Sequence, residues 1–376
     1  MATLDVSYQP GTPEPNLFPK MANYTSTRAT QDNLKRSFAK YLASEHSTQA
    51  VGKLFQPESH LQYEEPSYIH TMEEIGYSAT SGVSPIAVSE PFRLFSEEAV
   101  NVMRDEIFAK EVQEKYSYTS DIAPKQLRGH GKFIYEAWKH PETLAIISKI
   151  AGVDLVPVMD YEIGHINLSV PGERLDHDSS ALISEDDEKA IVGWHRDSYP
   201  FVCVLMMSDT TGMVGGETAL RTGYGDIKKV RGPSKGCAVV LQGRYIDHQA
   251  LRAFGGQERI TMVTSFRPRS PHIRDDTVLT TVRPVSNLSN LYGQTVEYQL
   301  ENAEARIRSM LKELRDSMKA GATTAKAITS FLDFEINQLT HLNKEIIDES
   351  LVKMGELEVL CAGAARSSKK ARTAIE

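Results

Sequence analysis

The chain lacks any apolar run approaching the length of a transmembrane helix, which argues against a membrane-spanning protein. It also lacks positive charge in excess: 50 acidic residues outnumber 42 basic ones. A formal charge of -8 gives no general attraction to nucleic acid or to an anionic membrane, so neither is an expected partner. Only three cysteines occur, Cys203, Cys237 and Cys361, with no close metal-binding pair and no disulfide framework. Cys203 and Cys237 lie in apolar, strand-like runs and read as buried free thiols in a reducing compartment. The opening MATLDVSYQPGTPEPN has no basic stretch followed by an apolar one, so a cytoplasmic location is expected. No Gly-rich dinucleotide fingerprint, Gly-X-Ser-X-Gly elbow or His-Glu-X-X-His helix is present.

What is there is 376 residues, 40% of them hydrophobic, enough to bury a substantial core. Residues 1–85 alternate short helical possibilities with polar, Pro/Ser-rich stretches and read as a lid, an interface arm or a partly disordered segment. Ser96 precedes Glu97 and Glu98 and suits a helix N-cap, with Ala99, Val102 and Met103 facing inward. A second helix is predicted over 133–150, ending before Gly152. From Leu155 the texture changes to short apolar runs separated by turns: 155–159, 163–170, 193–197, 201–207, 238–242 and 260–266. Such spacing favours an antiparallel sandwich or barrel over alternating β and α units. Residues 173–190 read as an acidic exposed loop. In the C-terminal part, 301–318 and 325–342 are amphipathic and predict a helical hairpin broken at 321–324. Its apolar residues, among them Leu314, Met318, Phe331 and Leu339, can pack on each other or on a second subunit, which makes a homodimer through these helices an expectation.

The chemistry concentrates in His195-Arg196-Asp197 and the distant His248. On an extended strand His195 and Asp197 point to one side and Arg196 to the other. Two imidazoles and a carboxylate can hold Fe(II) while leaving coordination positions open. Zinc accepts the same ligands, and His-X-Asp alone is a common tripeptide. Downstream, Gly215-Gly216-Glu217-Thr218 marks a tight turn, and Arg259-Ile260-Thr261 forms another same-face pair. The Arg259 guanidinium suits a carboxylate, with the Thr261 hydroxyl beside it, while Glu258 would face away.

In that order, His195-X-Asp197, His248 and Arg259-X-Thr261, the chain resembles the Fe(II)- and 2-oxoglutarate-dependent dioxygenases over about residues 90–270. The family often has Arg-X-Ser at the last motif; Thr261 keeps the hydroxyl. The resemblance implies a mainly β core with added helices, a distorted double-stranded β-helix of the jelly-roll, cupin-like kind. It implies Fe(II) held by His195, Asp197 and His248, with 2-oxoglutarate and dioxygen as co-substrates. Arg259 and Thr261 would hold the distal carboxylate of 2-oxoglutarate, and Asn167 would donate to it. The reaction class is oxidative: 2-oxoglutarate is decarboxylated to succinate, and hydrogen is removed from a substrate carbon, giving hydroxylation, desaturation or cyclisation. Asp197 stands where halogenating relatives carry a small residue, which disfavours halogenation.

Around this core the chain divides into the extension 1–89, the catalytic core 90–270 and a helical extension 271–376 with a flexible tail. Arg128, His130, His165 and Arg244 are candidates for contacting a small, carboxylate-bearing substrate; ordinary salt bridges and a satisfied core histidine are the plain alternatives. The overall pattern is similar to fungal oxygenases of secondary metabolism, including those acting on amino acids and related compounds. Hydroxylation of a larger secondary metabolite, and a non-catalytic cupin-like metal-binding protein, are the competing readings.

Overall fold

The computed structural model describes residues 53–109, 122–123, 131–169, 190–232, 234–255 and 258–353. Arg128, His130, most of the 1–89 extension, the acidic loop expected over 173–190 up to residue 189, and the tail from residue 354 lie outside the described residues. Among the described residues fifteen strands form, beginning with β1 (Ile69–Thr71), β2 (Ile86–Ser89), β3 (Phe92–Arg93), β4 (Ile122–Ala123) and β5 (Leu155–Pro157). The middle strands are β6 (His165–Ser169), β7 (Ala190–His195), β8 (Phe201–Met206), β9 (Val214–Gly215) and β10 (Thr218–Arg221). The last are β11 (Ile227–Val230), β12 (Cys237–Leu241), β13 (His248–Leu251), β14 (Ala253–Phe254) and β15 (Arg259–Pro268). The helices are α1 (Pro57–His60), α2 (Glu97–Phe108), α3 (Lys132–Lys139), α4 (Pro141–Ala151), α5 (Leu288–Lys319) and α6 (Ala325–Glu345).

The strands assemble into one large antiparallel sheet, β1-β2-β12-β8-β15-β6-β4, with β3 and β5 on its flanks. A second sheet, β11-β10-β13-β7, and a two-stranded β14-β9 ribbon accompany it. The described strands form no closed sheet; they make a mixed α/β fold with an extensive multi-stranded β core, consistent with the expected jelly roll without showing its closure. The extended pairing of β15 explains the arrangement, since this ten-residue strand bonds β8, β6 and β5. Its alternate residues serve two layers. Ile260, Met262 and Phe266 join the helices in a core containing Trp138, Phe133 and Ile147. On the other face Val263 packs on a cluster shared by the two main sheets, including Val202, Leu220, Leu241 and Ile246. Arg259 and Thr261 fall on that second face by the two-residue period.

Local capping follows the sequence closely. Ser96 Oγ accepts the Ala99 N–H at 3.2 Å, and Ala99, Val102 and Met103 are buried. The single helix expected over 133–150 is instead α3 followed by α4. His140 is extended (φ -62°, ψ 133°) because a residue before proline is driven from the helical region, and Pro141 then opens α4. Gly152 ends α4 in the left-handed conformation, at φ 68°. Glu106 of α2 caps α3: its two oxygens accept the Phe133 and Ile134 N–H groups at 2.8 and 3.0 Å. Burial pushes its carboxyl up to about 7 against the pull of those amides. Cys203 is buried as expected, but Cys237, where β12 begins, is half-buried.

The C-terminal helices form the expected hairpin, with α5 starting earlier, at Leu288, and running 32 residues. The hairpin is anchored by ionic contacts as well as by apolar ones, the latter through Leu291 and Tyr298 of α5. Arg306 of α5 is buried and makes two bonds to Glu335 of α6, Nε–Oε1 at 2.5 Å and Nη2–Oε2 at 2.9 Å. Its Nη1 also donates to the Pro271 carbonyl. Arg283 binds Glu345 at the end of α6. No helix among the described residues is long and apolar enough to cross a membrane.

Candidate metal centre

Antiparallel pairing of β7 with β13 puts His195 directly opposite His248. The imidazole rings lie 4.4 Å apart, centre to centre. Asp197 follows two residues after His195, just past the end of β7. Its N–H donates to the Gly243 carbonyl at 3.0 Å, which fixes where its side chain leaves the backbone. The Asp197 Oδ1 then sits 3.6 Å from His195 Nε2 and 3.5 Å from His248 Nε2. One ligand atom from each residue falls within a 4.8 Å cluster, a grouping able to hold a metal ion.

The imidazoles are oriented by the backbone. His195 Nδ1–H donates to the Gly193 carbonyl at 2.7 Å, and His248 Nδ1–H donates to the Ile246 carbonyl at 3.0 Å. A carbonyl can only accept, so each Nδ1 carries the proton and each Nε2 lone pair is turned toward Asp197. Burial disfavours the Asp197 carboxylate, but the two imidazoles outweigh it and hold the carboxyl well below the usual range. Burial likewise opposes a charge on His248, and the Asp197 carboxylate overrides it, raising His248 above its ordinary value. The second carboxylate oxygen, Oδ2, is buried with no hydrogen-bond partner among the described residues. Two nitrogen lone pairs, an anionic oxygen and an unsatisfied buried acceptor fit a divalent cation, and this donor set is the one non-haem Fe(II) uses.

Gly243 makes room for that carboxylate. A Cβ built there would lie 1.8 Å from Asp197 Oδ2 and 2.7 Å from its Cγ, so any side chain would drive the ligand away. This role was not foreseen from sequence, although a glycine five residues before the distant histidine was a visible signal. The Gly193 and Ile246 carbonyls left no signal, because every residue carries one.

Arg196 points away from the cluster, as the strand alternation requires, and its Nε donates to Asp247 at 2.8 Å. Trp194 lies under the Arg221 guanidinium, 4.4 Å from it, on that same outer side. Tyr245 donates to Asp276. Arg244 donates its Nε to the Asp276 carbonyl at 2.8 Å and has no carboxylate ion pair among the described residues.

Arg259 is buried, at 8% exposure, and so is Thr261. No carboxylate pairs with Arg259 among the described residues. Among the described residues its Nε has no partner, and its Nη2 makes one long bond to the Gly216 carbonyl at 3.4 Å. Burial lowers its pKa. Gly216 (φ 78°) lies against it; a Cβ there would approach the Arg259 Nε to 3.4 Å. The neighbouring Glu258 turns the other way and binds Arg104 at 2.5 Å. Across the sheet, Asn167 pairs in register with Thr261 and His165 with Val263, so all four share one face with Arg259. Asn167 Oδ1 and His165 Nε2 are 3.2 Å apart.

No protein-family model matches the sequence. No curated protein matches it either. Among solved structures, a 2OG-Fe(II) oxygenase-family oxidoreductase from Burkholderia pseudomallei is 15% identical and superposes with a TM-score of 0.27, over 36% of this chain. The chain spans about half (55%) of the length of that protein. A prolyl-4-hydroxylase from Pseudomonas putida is 18% identical, with 46% of this chain and 88% of the other aligned, at a TM-score of 0.28. A nickel complex of the non-haem monooxygenase ThoJ is 12% identical over 58% and 77% of the two chains, at 0.33. Superpositions this partial transfer no residue role; the two-histidine, one-carboxylate cluster stands on its own geometry.

Proposed function

We propose that this chain is a non-haem Fe(II)- and 2-oxoglutarate-dependent oxygenase acting on a small molecule. One observation carries the co-substrate assignment: Arg259 is a buried guanidinium without an anion among the described residues, on the sheet face shared with Thr261 and Asn167. A buried cation is costly unless paired, and a planar fork of donors best fits a carboxylate. A dicarboxylate with one end at the cluster and the other at Arg259 satisfies both. Closure into a double-stranded β-helix, with core limits near 90 and 270, belongs to the same reading.

His195, Asp197 and His248 would hold the iron, which when bound supplies activation of dioxygen. The residues themselves perform positioning. The Gly193 and Ile246 carbonyls keep each Nδ1 protonated, so each Nε2 lone pair stays free to bind metal. Asp197 contributes a charge and no proton transfer. Arg259 grips the distal carboxylate, the Thr261 hydroxyl donates a further bond, and Asn167 assists from the adjacent strand. Arg244, with no carboxylate ion pair among the described residues, is our candidate for a substrate carboxylate, with His165 at the pocket wall. Arg128 and His130 are further candidates. The substrate class we favour is an amino acid or related secondary metabolite, modified by hydroxylation, desaturation or oxidative cyclisation in the cytoplasm.

Anaerobic addition of Fe(II) and 2-oxoglutarate tests this reading. A weak visible charge-transfer band is expected in the native protein, absent in Asp197→Ala and weakened in Arg259→Ala. No band at saturating ligand contradicts the assignment. Succinate release coupled to loss of a candidate metabolite separates the enzyme from a non-catalytic metal-binding protein.

A further inference from the structure

The far half of the C-terminal hairpin leaves large apolar side chains uncovered. On α5, Leu300, Ile307, Leu311 and Met318 are 49%, 45%, 42% and 64% exposed. At 100° per residue these four fall within about 20° of one line along the helix, a continuous stripe rather than scattered positions. Leu339 of α6 borders the same groove, and Leu332 and Ile336 of α6 are also exposed. Among the described residues from 307 to 319, no side chain of α5 is buried. A soluble surface seldom carries such a stripe without a partner.

The stripe is self-complementary. With a second α5 laid antiparallel and the two-fold axis level with Ser309, Ile307 meets the partner's Leu311 and Leu300 meets the partner's Met318. Two charged residues follow the same symmetry. Glu304 and Arg315 lie on one side of the stripe, at about 40° and 60° from it, and both line the groove, beside Arg308, to which Glu304 is already bound within its own helix. The two-fold keeps that side in common, so Glu304 falls within about one residue of the partner's Arg315, twice over. Apolar residue on apolar residue, and acid beside base, result from one symmetry operation. A chance partner surface would have no reason to match both.

We propose that this face pairs with a second copy of the same chain, forming an isologous dimer through an antiparallel α5 seam. It is independent of the metal centre and stands or falls without it. Sedimentation of the full-length chain tests it at roughly 10 µM, where an interface of micromolar affinity is largely formed. The native protein is expected to sediment as a dimer, and Ile307→Asp/Leu311→Asp as a folded monomer, since both positions are surface-exposed. Arg315→Glu alone should weaken the dimer at least tenfold, and Glu304→Arg/Arg315→Glu should restore it. A monomeric native protein overturns the proposal and leaves the groove to a different partner. So does a dimer that survives the aspartates, or a charge swap that fails to restore association.

Discussion

Two buried guanidiniums in different regions of the molecule have opposite surroundings. Arg306, in the helical extension, is 6% exposed and grips Glu335 with two bonds. Arg259, in the β core, is 8% exposed and has one long bond to a carbonyl. Equal burial therefore carries unequal compensation. In the extension the counter-ion is part of the chain, so the pair is structural. In the core the counter-ion is missing from the described residues, so the fold carries an unpaid desolvation penalty that an incoming carboxylate would relieve. Buried ionic groups thus separate scaffold from site better than burial itself does.

The comparison can be broken most severely at the paired end. Glu335→Ala strands the Arg306 charge and should destabilise the protein by about 3–5 kcal/mol in urea unfolding. A loss below about 1 kcal/mol would mean the pair is solvated, and the contrast with Arg259 would collapse. Glu106 supplies an intermediate case, a half-buried carboxylate held by amides instead of a cation. Its folded pKa of about 7 exceeds the ordinary 4.5, so the folded state binds the proton more tightly. The associated stability is complete below pH 4.5 and is lost as pH rises through 7, by about 3 kcal/mol at most. Glu106→Gln should flatten that slope, read as melting temperature against pH; an unchanged slope would refute the assignment.

At the unpaired end, Arg259→Met should leave the metal-free protein as stable as the native one or slightly more so. It should weaken 2-oxoglutarate binding about a hundredfold, near 3 kcal/mol. A large loss of stability would make Arg259 a second Arg306. The smallest effect is expected at Gly243→Ala. Crowding of Asp197 should weaken divalent metal binding about tenfold, with the metal-free melting temperature nearly unchanged. Equal metal affinity would show that the carboxylate has room to move.

Much of this was legible in the sequence, for identifiable reasons. His195 and Asp197 are local in sequence, and strand alternation alone separates them from Arg196. The β segments were legible because apolar runs and turn residues report local preference. Sheet order was not, since β15 reaches β5, β6 and β8 through contacts far apart in the chain. The break at His140-Pro141 was missed, because the apolar periodicity on either side concealed the signal of the proline. Gly243 and the two orienting carbonyls depend on how chain segments approach each other, which no local pattern encodes.

The most direct test titrates 2-oxoglutarate and pyruvate into the Mn(II)-loaded protein and compares their affinities. The two acids share the 2-oxo carboxylate and differ in the distal carboxylate. In the native protein 2-oxoglutarate should bind about a hundredfold more tightly, and in Arg259→Met the two should bind alike. A preference that survives the loss of Arg259 would contradict the account.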